Sequence, residues 1–133
     1  MRARSWIDFL PACANIIWKW PDPLRWRKKP VLALDSRIKI CGAFDRNGYL
    51  PTNHPHYSHP QTDDVIWNEA NCRNRRIFDD RMTVAAVAHP GPFLVQTYRR
   101  QMGNGSSVVM KEASSPVKVN GRHWGAVRLA YLP

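Results

Sequence analysis

Between Phe93 and Tyr131 the chain is written in alternating, strand-like runs broken by Asn104-Gly105 and Asn120-Gly121. Asn-Gly reaches the positive φ that a tight reversal needs, so runs flanking it are expected to fold back on one another. Residues 93–100, 107–112, 117–119 and 122–131 are therefore predicted strands of an antiparallel meander. Asn47-Gly48, in Asp45-Arg46-Asn47-Gly48, supplies a further reversal between a strand over 37–44 and a return strand over 49–52. Asp63 or Asp64 can cap a helix over 65–76. Residues 31–35 read as a helix end, 51–62 as a loop and 84–88 as a short strand. Few helices beside many strands predict an α+β fold: a single antiparallel sheet with helices on one side.

At 133 residues the chain can bury one core. It holds no apolar run long enough to span a bilayer. Its first residues, MRARSWIDFLPACANIIW, begin like a signal peptide, but Asp8 and Pro11 interrupt the apolar stretch and no small-x-small cleavage site follows. Three cysteines (Cys13, Cys41 and Cys72), none in a CxxC, argue for a reducing, cytoplasmic setting rather than a disulfide framework.

The formal charge is +10, and half of it lies in residues 1–30, which hold seven Lys/Arg, two Asp and four of the six tryptophans. That segment reads as a basic, Trp-rich leader, poorly ordered or partly helical, with Pro11 breaking its helical spacing. It could lie on an anionic membrane surface. It also supports a second functional reading, a nucleic-acid-binding module using the basic leader and its aromatics.

Five segments carry a resemblance: FDRNGYLPTNHPHYSHPQ (44–61), NCRNRRIFDDR (71–81), PFLVQTYRRQMGNG (92–105), VVMKEASSPVKV (108–119) and NGRHWGAVRLAY (120–131). In this order they resemble the C-terminal sensor-like domain attached to many bacterial methyl-accepting chemotaxis proteins, over residues 31–133. The resemblance implies a PAS-like or Cache-like sensor fold and a non-catalytic sensory role in chemotaxis. It also implies a signalling coiled coil in full-length relatives. No Ala/Glu/Gln-rich heptads occur here, so the chain reads as a C-terminal fragment of a receptor or a sensor acting in trans. A homodimer is a further expectation.

Within these segments the arginines of NCRNRRIFDDR can fork onto a carboxylate or phosphate, which makes Arg75, Arg76 and Arg81 candidate ligand contacts. The alternative is a self-satisfied Arg–Asp network using Asp79 and Asp80. Gln96 and Tyr98 are polar handles on one face of a strand, compatible with a small pocket. In the last strand His123, Gly125, Val127, Leu129 and Tyr131 share the more apolar face, taken as the core or pocket side. His123 sits at its rim, and Gly125 leaves room for a ligand or a close helix. The ligand itself, small and organic or anionic, is not named by the sequence.

No metal site is expected. His54, within the His-rich loop, and Cys41 and Cys72 are the residues that could ligate a metal or a haem. Where the family reads Pro-Thr-His-Asn, this chain reads Pro51-Thr52-Asn53-His54, an inversion. No GxSxG, HExxH, phosphate-binding loop or dinucleotide fingerprint occurs, so the expectation is not an enzyme.

Overall fold

The computed structural model describes residues 30–133; the basic leader predicted over residues 1–30 lies outside them, except for Pro30. The chain order is α1 (Pro30–Leu34), β1 (Ile38–Asp45), β2 (Tyr49–Leu50), a 3-10 turn (Pro55–Tyr57), α2 (Val65–Asn71), β3 (Arg76–Ile77), α3 (Arg81–Ala88), β4 (Leu94–Gln101), β5 (Ser107–Val119) and β6 (Arg122–Tyr131). Four strands form one antiparallel sheet in the order β1-β6-β5-β4, and β2 and β3 pair separately as a short ribbon. The fold is α+β, built on the predicted meander.

The turns form where Asn-Gly stands. Gly48 has φ +78, its amide bonds to the Asp45 carbonyl, and Asp45 Oδ1 accepts from Asn47 and Tyr49 N–H. At the β5–β6 reversal Asn120 and Gly121 both take positive φ.

Several boundaries move. Residues 107–119 form one strand rather than two, running through Pro116. Proline is tolerated there because β4 pairs with β5 only as far as Ser114, leaving one edge of β5 without a strand partner at Pro116 among the described residues. The helix capped by Asp64 ends at Asn71, not at residue 76, and Arg75 then takes φ 52 to turn the chain into β3. Residues 84–88 are helical, not a strand. Asp80 accepts hydrogen bonds from Met82 and Thr83 N–H, satisfying two orphan donors and starting α3 ahead of an Ala-rich run.

Both faces of the sheet are covered. Val127, Leu129, Ala113, Cys41 and Ile38 cluster on one face, with Leu32 of α1 packed against them. Phe44, Ala126 and Leu50 cluster on the other with Val87 of α3 and Phe78. Helices therefore do not all lie on one side: α1, about one turn long, lies opposite α3. Gly125 makes room for neither ligand nor helix. A Cβ there would collide with the Phe44 carbonyl oxygen, so glycine is what lets β6 close against β1.

Candidate functional site

A recess of about 590 Å³ opens between the Arg128-bearing face of the sheet and the layer formed by α2, β3 and the start of α3. It lies on the face opposite the one expected from the alternation of β6. Val127 and Leu129 are fully buried in core, whereas Arg128 and Ala130 look into the hollow. Alternation located both faces, but burial on each side of a central strand makes hydrophobicity a poor guide to which is hollow.

The floor is a closed polar network. Arg128 Nε and Nη2 donate to the two Glu112 oxygens at 2.8 and 2.7 Å, and its Nη1 donates to Thr83 Oγ1 at 2.6 Å. The Thr83 hydroxyl in turn donates to Asp80 Oδ2 at 2.7 Å, so the chain of bonds ends at the cap of α3. The Arg128 guanidinium also stacks on the Phe44 ring, 4.6 Å from its centroid. Burial pushes the Glu112 carboxyl above its ordinary range, against the pull of Arg128. Burial also raises Asp80, but hydrogen bonds from Thr83 and Met82 and the charge of Arg128 together hold it below the ordinary value.

The walls differ from the floor. Arg73 and Arg76 reach in from the segment after α2, and both stack on Phe78, at 5.2 and 5.3 Å. They share one carboxylate, Glu69, which is 63 % exposed. Arg100, on β4, stacks on Tyr57 at 4.5 Å and donates to its hydroxyl; among the described residues no carboxylate reaches it. Burial and the neighbouring Arg100 lower the Arg73 pKa, with Glu69 opposing and Arg76 adding to the fall. Tyr98 lies among them, its hydroxyl pKa raised by burial and by Glu112, with Arg128, Arg100 and Arg73 opposing.

Of the residues singled out from the sequence, Arg76, Arg81 and Tyr98 line the recess. Arg75 is exposed outside it, its amide bonded to the Leu50 carbonyl across the β2–β3 ribbon. Gln96 lies outside the lining and donates from Nε2 to the Met82 carbonyl, tying β4 to the first turn of α3. His123 Nε2–H donates to the Val87 carbonyl at 2.7 Å, anchoring the end of α3. It borders a separate, more open hollow beside Arg46 and Arg122.

The metal candidates are drawn into structural roles. His54 is buried, and its Nε2 accepts the Cys41 backbone N–H at 3.1 Å, which occupies the lone pair a metal would need. Cys72 is a buried free thiol facing the Pro60 carbonyl. Among the described residues no group of three or more His, Cys, Asp or Glu is placed to hold a metal ion.

Arg73, Arg100, Arg128 and Glu112 are site residues outside the predicted set. Arg128 had a signal: it is the lone charge within the apolar run Gly125–Ala130. The Asn120-Gly121 reversal brings it beside β5, diagonal to Glu112. The alternative reading, an Arg–Asp network through Asp79 and Asp80, does not form among the described residues. Among the described residues the ion pairs of Arg73 and Arg76 go to Glu69.

No helix among the described residues is long and apolar enough to cross a membrane. No protein-family model matches the chain, and no curated protein matches it by sequence.

Proposed function

We propose that this chain is a non-catalytic, PAS- or Cache-like sensory module of the methyl-accepting chemotaxis type, working in the cytoplasm. The observation that carries the reading is the hollow between an antiparallel sheet and its overlying layer. It is walled by side chains that bind (guanidiniums, a phenol and aromatic rings). The sequence resemblance over residues 31–133 supports the same reading.

The hollow is placed to report its occupancy. A ligand held there touches the α2–β3 layer through Arg73 and Arg76 and the sheet through Arg100 and Tyr98. Binding would therefore favour one packing of the two layers over another. The sheet continues from β6 to β1, and β1 carries α1 through the cluster around Leu32. In full-length relatives a signalling coiled coil on the N-terminal side would receive that shift.

The test is a thermal-shift screen of the full chain against metabolites of all charge types, followed by hydrogen exchange with the strongest stabiliser. A sensor gains or loses protection in α1 and β1, remote from the cavity walls, as well as at the walls. Protection confined to the walls, or turnover of the bound compound, would refute the reading.

A further inference from the structure

Six arginines and four carboxylates line the recess, a surplus of two positive charges. Two of the six, Arg81 and Arg99, are exposed, as is Asp79, and the other four arginines fall into two groups. Arg128 is neutralised by the Glu112 fork, and Asp80 is committed to Thr83 and the α3 amides. At the walls Arg73, Arg76 and Arg100 have between them, among the described residues, one exposed carboxylate, Glu69.

The way these three are held leaves donors available. The guanidinium carbons of Arg73 and Arg76 lie over the Phe78 ring at 5.2 and 5.3 Å, and that of Arg100 over the Tyr57 ring at 4.5 Å. A ring beneath a guanidinium attracts its charge but supplies no oxygen acceptor, so N–H donors remain for an oxyanion. Arg100 spends one N–H on the Tyr57 hydroxyl, Arg73 spends its Nη1 on Glu69, and Arg76 spends one N–H on the Cys72 carbonyl and one on Glu69, which leaves each guanidinium with further N–H groups. Crowding half-buried guanidiniums is unfavourable unless an anion joins them; the Arg73 pKa is lowered first by burial and then by the neighbouring Arg100.

We infer that the recess binds a compact dianion, a phosphate group or a dicarboxylate, gripped by Arg73, Arg76 and Arg100 above the neutral Arg128–Glu112 floor. The inference rests on the sensory reading only in taking the same recess as the binding site. Arg73 and Arg76 belong to one layer and Arg100 to the other, so the anion bridges the two.

The experiment is calorimetry and thermal shift on the full chain with inorganic phosphate, succinate and acetate at matched ionic strength. Saturable binding of phosphate or succinate, at least about tenfold tighter than acetate, is expected because a doubly charged anion has oxygens enough to engage guanidinium forks of both layers at once. Phosphate alone would point to a phosphorylated compound, succinate alone to a diacid, and either result supports the inference. Arg100→Gln and Arg73→Gln should each weaken that binding about tenfold or more, and Arg100→Lys, which keeps charge but loses the fork, by a smaller factor. Arg122→Gln, in the other hollow, should leave it unchanged. Equal binding of acetate, or wild-type affinity in folded Arg73→Gln and Arg100→Gln proteins, would overturn the inference. Saturable binding of neutral compounds in place of dianions would overturn it while leaving the sensory reading intact. Dianion binding without any change at α1 and β1 would support it and remove the sensory reading instead.

Discussion

Arg128 and Glu112 form a bidentate pair whose side chains are almost wholly withdrawn from water. Removing one partner of such a pair strands the other charge, so Arg128→Met is expected to cost about 3–5 kcal/mol in urea denaturation. The double variant Arg128→Met with Glu112→Leu should recover most of that loss, because two apolar side chains avoid the stranded charge. A double variant no more stable than the single one would show that the pair itself, not its solitary remnant, sets the cost. Asp80 makes a different prediction. As the α3 cap, Asp80→Ala should cost about 1 kcal/mol at neutral pH. Its folded pKa lies below the ordinary carboxylate value, so its contribution is full above about pH 4 and fades as acid protonates it below that. Unfolding curves of wild type and Asp80→Ala should therefore converge in acid. Curves that stay parallel down to the acid transition would show that the carboxylate charge plays no part.

Among the elements, those set by local chemistry were legible and those set by tertiary packing were not. Asn47-Gly48, Asn104-Gly105 and Asn120-Gly121 each demand a backbone few other residues adopt, and each reversal formed where predicted. The helical nature of Val84–Ala88 was hidden because a short apolar run fits a strand or a helix equally well. Asp80, followed by Thr83 at the third helical position, was the signal that separates the two. The end of α2 depended on Arg75 taking φ 52, a strain that only the β2–β3 ribbon justifies. The pocket face of β6 was misread because the face of His123, Val127 and Leu129 is the more apolar, while the opposite face carries both Arg122 and Arg128. Gly125 yields a prediction at this scale. Gly125→Ala drives a methyl into the Phe44 carbonyl and must part β1 from β6, so a loss of about 3 kcal/mol is expected. Gly105, at φ +80, has open space around its Cβ position, and Gly105→Ala should cost about 1–2 kcal/mol of backbone strain alone. Equal losses at the two positions would mean that β1 and β6 can yield without penalty.

Across the whole molecule the charges are strongly unbalanced, at +10 formally, and the recess concentrates a surplus of cations between two layers that must pack together. Like charges held closer than the screening length oppose the folded state. Raising ionic strength from about 0.01 to 0.15 M shortens that length from roughly 30 to 8 Å. Without added dianion, the melting temperature should therefore rise over this range. Relief on the order of 1 kcal/mol corresponds to about 4 °C for a domain of this size. Arg100→Gln removes one of the crowded cations and should both raise the low-salt melting temperature and flatten its dependence on NaCl. At equal ionic strength sodium phosphate should stabilise wild type more than NaCl does, and this excess should shrink in Arg100→Gln. General screening acts on every charge alike, so only a bound anion makes the excess depend on one side chain. A melting temperature that falls with NaCl would place the net electrostatic balance of the fold on its ion pairs rather than on repulsion. An excess for phosphate that survives Arg100→Gln unchanged would place the anion elsewhere on the basic surface.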